Sequence, residues 1–422
     1  MNDDRTIVGL DIGSNVIKAA IGKINEEGKL EIVATSSRKS AGLRNGVIVN
    51  IEEAKDAIKE TIEDVEQAAG TLVDYVICAI GGSLVESESA RGVVPIHVNS
   101  KNNRREVTRQ DIDKVIEIAT AMNFPADREK IHVIPQNYLV DGVSVGIQAP
   151  LNRLGYKLEA DVLIVTASKT IIQNMRSCML RADYILGGVM LKTLAQTQSV
   201  CHDDELELGS IIIDLGAGTT DVIVLIHGAP VSTASIPVGG NFVTNDIGIV
   251  TGIPFANAEK IKIESGCCWL PSVSEDDEDV ILPGIGGRAP ELLARSQLCQ
   301  IIQARMEQIF SMVKTAIINN TDDKIKQLSG NIILTGGGAM LPGVVELAQA
   351  KFKTSAVRIG IPDNLGGKQS DYRRPDFATV IGLIEANKLM PQMNDPKTRQ
   401  KKQSSSGKEK DSILKRMRDF FF

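Results

Sequence analysis

The chain has 422 residues, of which 43% are hydrophobic and 24% charged, a composition typical of a soluble globular protein of about two to four domains. It excludes a fully disordered, collagen-like or coiled-coil chain. The net charge of −6 is uneven, because nine Lys/Arg and four Asp/Glu beyond residue 390 give the tail +5 and the body −11. An acidic body offers no broad basic field to phosphates, so we expect no nucleic-acid partner.

The cellular compartment is predicted from the targeting, membrane-spanning and paired-cysteine patterns that the sequence lacks. No signal peptide precedes the first strand-like run at residue 6, and no apolar stretch approaches the ~20 residues of a membrane span. The six cysteines form no CxxC pair, so we expect them to be reduced and structural in a cytosolic protein.

The first half of the chain reads as strands with helical interruptions. Alternating or apolar runs predict strands, and residues 51–69 have the spacing of an amphipathic helix. The predicted strands are 6–11, 16–22, 30–35, 75–80 and 162–167, with a helix at 170–181. Between them, residues 83–160 read as a compact αβ insertion with strands at 93–98, 130–134 and 137–140 and a helix at 109–123, capped by Thr108.

The second half repeats the opening. The predicted strands are 210–214, 219–226, 231–237 and 331–335, and the predicted helices are 243–251, 255–265, one or two within 290–318, one from about 342, and 377–389. Residues 272–279 read as an acidic loop. Asp11 and Lys18 are separated by the same interval as Asp214 and Asp221, which predicts an internal duplication.

Two glycine-containing hairpins carry the chemistry. In the first, Gly13 allows backbone N–H groups to approach a polyphosphate, Ser14 and Lys18 can bind it, and Asp11 can hold a hydrated Mg²⁺. The second has two glycines and a second carboxylate, Asp214. The pair predicts a phosphate clamp formed from both sides of a cleft.

Two further segments fit the rest of a nucleotide. Gly336, Gly337 and Gly338 follow a strand and can lie flat against a planar base, which Met340 can cover. Gly239 and Gly240 start a helix and can approach phosphate or ribose. Downstream, Glu259 can accept hydrogen bonds from ribose hydroxyls and Lys262 can cover the nucleotide.

This set of segments resembles the actin–Hsp70–sugar kinase superfamily, and in detail the FtsA family of bacterial cell-division proteins. The segments that carry the resemblance are His132-Val133-Ile134-Pro135-Gln136, Gly239-Gly240-Asn241 with Thr244 and Asp246-Ile247, Ala258-Glu259 with Ile261-Lys262 and Gly266-Cys267, Leu334-Thr335-Gly336-Gly337, and Val357-Arg358-Ile359-Gly360. It implies an α/β fold that is actin-like (ribonuclease H-like), with two duplicated domains closing on a nucleotide cleft and an inserted αβ subdomain 1C.

The resemblance also implies a division of the chain. We expect subdomain 1A at 1–82, 161–207 and 370–390, 1C at 83–160, 2A at 208–244 and 303–369, 2B at 245–302, a disordered linker at 391–411 and an amphipathic membrane-targeting helix at 412–422. It implies ATP and Mg²⁺ as cofactors. The expected metal residues, acting through water, are Asp11 and Asp214, and the expected nucleotide residues are Gly13, Ser14, Asn15, Lys18, Gly216, Ala217, Gly218, Thr219, Thr220, Gly239, Gly240, Glu259, Lys262, Gly336, Gly337, Gly338 and Met340.

One position departs from the hydrolysing relatives. Where they carry a Gln or Glu before a Leu-Ala pair, this chain aligns Lys192, which cannot orient or deprotonate a water as those side chains can. We therefore expect ATP binding with at most weak ATPase activity, and name no catalytic residue.

The tail has the pattern of an in-plane membrane anchor. On a helical wheel one arc holds Ile413, Leu414, Met417, Phe420 and Phe421, and the other side carries Lys415, Arg416 and Arg418. A lysine- and serine-rich stretch without apolar residues separates it from the body, which favours a membrane anchor over docking on the protein's own domain.

The resemblance implies a protein that polymerises on the cytoplasmic face of the inner membrane at the division site. It would tether the FtsZ ring, binding the FtsZ C-terminal peptide through 2B and later division proteins through 1C. The alternatives are a PilM-like pilus-assembly or MreB-like cell-shape protein, and a small-molecule kinase of the same superfamily. A kinase needs a catalytic base, for which the sequence offers no candidate.

Overall fold

The computed structural model describes residues 6–44, 46–96, 104–121, 125–148, 150–274, 276–284, 286–287, 289–321 and 331–388. The predicted linker and membrane-targeting helix lie outside these residues. The strands are Thr6–Ile12 (β1), Val16–Ile24 (β2), Leu30–Lys39 (β3), Leu43–Arg44 (β4), Val47–Ile48 (β5), Tyr75–Ile80 (β6), Val85–Pro95 (β7), Arg105–Glu106 (β8), Arg128–Val140 (β9), Val143–Gly146 (β10), Leu154–Gly155 (β11), Lys157–Ser168 (β12), Ile185–Leu191 (β13), Ser210–Leu215 (β14), Thr220–Ile226 (β15), Ala229–Ile236 (β16), Val280–Leu282 (β17), Glu291–Leu293 (β18), Ile332–Thr335 (β19), Val357–Ile359 (β20) and Gly366–Gly367 (β21). The helices are Ile51–Ala69 (α1), Arg109–Thr120 (α2), Lys169–Arg181 (α3), Lys192–Val200 (α4), Asp203–Leu208 (α5), Gly240–Thr251 (α6), Phe255–Ser265 (α7), Arg295–Thr321 (α8), Val344–Phe352 (α9), Gln369–Tyr372 (α10) and Ala378–Lys388 (α11).

Two sheets with the same strand arrangement form the two lobes of the molecule. The first lobe is built on the order β13-β6-β1-β2-β3-β21, and the second on β16-β15-β14-β19-β20. In each, the opening strand pairs antiparallel with the next strand and parallel with a later one. Asp11 faces Lys18 across β1–β2 as Asp214 faces Asp221 across β14–β15. The predicted internal duplication is therefore confirmed.

The inserted region forms its own four-stranded sheet, β10-β9-β12-β7, covered by α2. Thr108 caps α2 as predicted, with its hydroxyl accepting from the Asp111 backbone N–H. The predicted strands 130–134 and 137–140 are wrong as separate elements, because β9 is continuous. Proline has no N–H for a sheet ladder, and β9 accommodates Pro135 at a bulge: Pro135 faces Val162, Asn137 faces Asp161, and Gln136 is the extra residue.

The bulge turns Gln136 towards the second lobe. Its side chain is buried, and its Nε2 donates to the carbonyl oxygens of Pro230 and Val231 in β16 at 3.1 and 3.0 Å. Ser87 Oγ, in β7, donates to the Thr233 carbonyl in the same strand at 3.1 Å. The inserted sheet, which lies between β6 and α3 in the chain, is thus also hydrogen-bonded to β16 of the second lobe.

The segment predicted as one or two helices, residues 290–318, begins differently. Its first residues form β18, which pairs with β17, and a single helix, α8, follows. A three-residue edge strand carries too little pattern to be distinguished from the start of a helix.

α4 crosses α11 and also contacts strands of both sheets, β6 and β13 of the first and β14 and β15 of the second. A Cβ on Gly382 would collide with the Ala195 carbonyl, so the two helices meet at backbone distance. Gln196 Nε2 donates to Thr379 Oγ1 at 2.9 Å across the same crossing.

Two further predictions concern thiols and membrane spans. All six cysteines are buried free thiols, as predicted. Among the described residues, no helix combines the length and apolarity needed to cross a bilayer.

Candidate functional site

A cleft of about 460 Å³ opens between the two lobes. The side chains and loops that line it come from both duplicated sheets. The predicted residues in its lining are Asp11, Gly13, Ser14, Asn15, Lys18, Asp214, Gly216, Ala217, Gly218, Thr219, Gly240, Glu259, Lys262, Gly336, Gly337, Gly338 and Met340. Two predicted residues, Thr220 and Gly239, are not in the lining.

Both absences have a structural cause. Thr220 begins β15, and its hydroxyl donates to the Val238 carbonyl at 2.8 Å. Gly239 lies beneath the second hairpin, where a Cβ would come within 2.6 Å of the Gly216 carbonyl. Gly239 therefore lets its backbone pack closely against the backbone of the hairpin, and it does not itself line the cleft.

The first hairpin turns between β1 and β2. β1 ends at Ile12 and β2 begins at Val16, so the turn consists of Gly13, Ser14 and Asn15. A Cβ on Gly13 would stand 2.5 Å from the Val16 carbonyl, which explains the glycine. Ser14 Oγ accepts from the Gly46 N–H at 2.8 Å, which leaves its own proton free to donate to a ligand.

The second hairpin is held by the start of α6. The N–H groups of Gly240 and Asn241 donate to the carbonyls of Gly216 and Ala217 at 2.9 and 2.8 Å. These bonds fix the loop before any ligand is present, so its backbone does not need to be ordered on binding.

The third loop packs on the end of β14. Gly336 has φ +81°, and a Cβ there would collide with Asp214 Oδ1. Met340 is about half exposed in the same lining, 51% of its surface, and Met306 of α8 also lines the cleft. Glycine backbone and soft apolar side chains thus both contribute to the lining of the cleft.

Glu259 and Lys262 form a cluster one turn apart on α7. Lys262 Nζ lies 2.7 Å from Glu259 Oε2 and 2.8 Å from Thr244 Oγ1, and the Thr244 hydroxyl donates to the same carboxylate oxygen. The carboxylate is thereby held at the cleft wall with its other oxygen, Oε1, outside these bonds.

Lys192 is the first residue of α4, and its ammonium enters the cleft near Gly216 of the second hairpin. Its Nζ lies 2.7 Å from Asp214 Oδ2, and the lysine side chain is only 17% exposed. Burial tends to lower the pKa of Lys192, but the charges of Asp214, Asp11 and Asp221 outweigh it and raise the pKa well above its usual range. The lysine is therefore a permanent cation at this end of the cleft.

Asp221 lines the cleft together with Lys192. Its carboxylate accepts from Thr219 Oγ1 at 3.0 Å and from the Gly82 N–H at 3.3 Å, which links the second hairpin to the first lobe. Burial raises the pKa of Asp221, against the opposing charge of Lys192.

Lys18 has a partner that the sequence did not reveal. Its Nζ lies 2.8 Å from Asp376 Oδ2 and donates to the Asp376 carbonyl at 2.6 Å, above the ring of Phe377. Arg374, whose guanidinium also pairs with Asp376, lines the cleft too. The sequence analysis did not predict Asp376 or Arg374 as site residues. The one sequence feature that pointed to them is the run of charged residues just before α11.

Asp11 and Asp214 fit a hydrated divalent cation. Asp214 Oδ1 is buried at the cleft and has no hydrogen-bond partner within the described part of the chain. A pair of carboxylates with an oxygen left for a metal-bound water is the donor set that Mg²⁺ typically uses beside phosphates.

The duplicated sheets, the crossing helices and this cleft define an actin-like fold. The type IV pilus protein in a PilM–PilN complex matches with a TM-score of 0.62 and 15% identity, over 90% of this chain and 97% of that one. MreB5 of Spiroplasma citri bound to ADP matches with a TM-score of 0.54 and 14% identity, over 95% and 99%.

Sequence comparisons resolve the family within this fold. A family model described as cell division protein FtsA matches residues 211–382, and one for the SHS2 domain inserted in FtsA matches residues 82–166. The cell division protein FtsA of Borreliella burgdorferi is 38% identical over 416 residues, 98% of each chain. The chain belongs to the FtsA family of cell division proteins.

Proposed function

We propose that the protein binds ATP in the cleft between its lobes. The observation that carries this proposal is that two glycine hairpins from duplicated sheets line one cleft. Their backbone N–H groups would cradle the phosphates, as in other glycine-rich phosphate sites. The ribose would lie at Glu259 and Lys262 and the base between the third glycine loop and Met340.

Asp11 and Asp214 would hold Mg²⁺ through its water shell. The bound ion would neutralise phosphate charge and fix the geometry of the triphosphate. Hydrolysis would be slow or absent, because Lys192 aligns where hydrolysing relatives carry a Gln or Glu, and its ammonium, bound to Asp214 Oδ2 at 2.7 Å, cannot accept a proton from a water. ATP would then act as a conformational ligand that favours closed lobes.

Around this nucleotide state we propose the cellular role. The protein would polymerise on the cytoplasmic face of the inner membrane at the division site, anchored by residues 412–422 to anionic lipid. Subdomain 2B, residues 245–302, would bind the FtsZ C-terminal peptide, and subdomain 1C, residues 83–160, would recruit later division proteins. Membership of the FtsA family supports this role over a pilus or cell-shape function.

One experiment tests both halves of this proposal. Full-length protein is placed on anionic lipid monolayers with ATP and Mg²⁺ and imaged by negative-stain microscopy, beside protein ending at residue 411. We expect filaments on the monolayer only with the full chain and ATP. Bare monolayers with both proteins would refute the assembly role, and equal filaments without nucleotide would refute ATP as the controlling ligand.

A further inference from the structure

The ammonium of Lys192 occupies part of the place expected for a divalent cation. Its Nζ is 2.7 Å from Asp214 Oδ2, an oxygen of one of the two carboxylates that suit Mg²⁺. A Cβ on Gly216, in the second phosphate hairpin, would stand 4.0 Å from the same nitrogen. The positive charge therefore lies between the metal carboxylate and the loop that faces the phosphates.

The side chain is also held there by its surroundings. Its Cβ and Cδ lie 3.4 and 3.6 Å from where a Cβ of Gly81 would be, so the stem passes along the end of β6. Asp221 Oδ2 is 3.6 Å from that same point. The lysine thus runs between the two lobes, with carboxylates of the second lobe around its charged end.

The other two lysines of the cleft are already neutralised locally. Lys18 is paired with Asp376 at 2.8 Å, and Lys262 with Glu259 at 2.7 Å. Lys192 instead lies 2.7 Å from Asp214 in a part of the cleft lining that also holds Asp221 and Asp11, so three carboxylates share one ammonium. Without the lysine, their negative charge would repel a polyphosphate unless a metal ion were present.

We propose that Lys192 is a resident counter-ion of the nucleotide site and lowers its requirement for a divalent cation. This inference rests on the proposed ATP binding. The ammonium compensates the charge of Asp214 and adds positive charge beside the phosphates, and so supplies part of the charge neutralisation that Mg²⁺ otherwise provides. The chain therefore binds nucleotide nearly as well in a chelator as with Mg²⁺.

The test measures binding of a fluorescent ATP analogue in 2 states, with Mg²⁺ and with EDTA, for wild type and Lys192→Gln. We expect wild type to lose less than about threefold in affinity in EDTA, and Lys192→Gln to lose about tenfold or more. The matched control is Lys351→Gln, which removes another paired lysine of the second lobe, 3.2 Å from Glu307. It should behave as wild type.

A second measurement needs no nucleotide. Lys192→Gln leaves Asp214 and Asp221 without their cation, so Mg²⁺ should raise its melting temperature while leaving that of wild type unchanged. If wild-type binding weakens about tenfold or more in EDTA, Lys192 is only a structural ion pair and the inference is overturned while ATP binding stands. If wild type binds no nucleotide in either buffer, the proposed function and this inference both fail.

Discussion

Asn15 and Asn241 exchange two amide hydrogen bonds across the cleft, although 226 residues separate them in sequence. Asn15 Nδ2 donates to Asn241 Oδ1 at 2.9 Å, and Asn241 Nδ2 donates back to Asn15 Oδ1 at 3.1 Å. The first residue lies in the first phosphate hairpin and the second at the start of α6. The pair therefore fastens one lobe to the other directly beside the proposed phosphates.

Removing either amide should loosen this closure. Asn15→Ala and Asn241→Ala each delete both hydrogen bonds, and a part-buried pair of this kind contributes about 1–2 kcal/mol. We expect a fluorescent ATP analogue to dissociate faster and to bind about fivefold more weakly or worse, as measured by stopped flow. The double variant is the control, since it should bind no more weakly than either single one. Additive losses would show that the two side chains act separately.

Two adjacent glycines of the third loop should differ in their tolerance of the same substitution. Gly336 has φ +81°, and a Cβ would collide with Asp214 Oδ1, whereas no atom lies within 4 Å of a Cβ on Gly337. Gly336→Ala should lower the free energy of unfolding by about 2 kcal/mol or more and impair nucleotide binding. Gly337→Ala should leave both close to wild type. Chemical denaturation of the two variants decides the point, and equal stabilities would contradict the loop packing.

His132 should make stability depend on pH. It is buried, and its Nε2 accepts from the Leu191 N–H at 2.8 Å. Burial lowers the pKa of His132 to about 4, so between pH 6.5 and 4 the unfolded chain binds a proton that the folded protein does not. Stability should therefore fall as the pH falls through this range, by up to about 1.4 kcal/mol per pH unit.

The matched variant for this prediction is His132→Gln, whose amide oxygen can accept the same bond but does not titrate. Urea unfolding at several pH values between 5 and 7 should give it a flatter profile than wild type. If both proteins lose stability in parallel as the pH falls, the titrating group lies elsewhere.

The tail offers a comparison between neighbouring phenylalanines. Phe421 falls on the apolar arc of the predicted helix and Phe422 off it. Burial of a phenylalanine contributes up to about 1.5–3 kcal/mol, less at an interface. Co-sedimentation with anionic vesicles should drop several-fold for Phe421→Ser and little for Phe422→Ser, and disappear on deletion of residues 412–422. If the deletion still co-sediments, another part of the chain binds the lipid.

The parts of the site that lie on local patterns could be predicted from the sequence. Both hairpins were predictable because a strand, a glycine turn and a returning strand occupy a few consecutive residues, and the repeated spacing showed that they are equivalent. The partner of Lys18 was not predictable, since Asp376 is 358 residues away and only the folded chain brings them together. Gly239 and Gly240 look alike in sequence, yet one supports the loop and the other lines the cleft.

The bulge at Gln136 has a thermodynamic consequence. Because Gln136 and Ser87 attach the inserted domain to β16, a change of angle between the lobes must either carry that domain along or break three hydrogen bonds. Suppose that one molecule binds the inserted domain in a single orientation and that a ligand in the cleft favours a single angle between the lobes. The two binding equilibria are then coupled. Each alters the affinity of the other by the same factor. A partner bound to the inserted domain would therefore change the affinity of the cleft for its ligand, and the ligand would change the affinity for that partner.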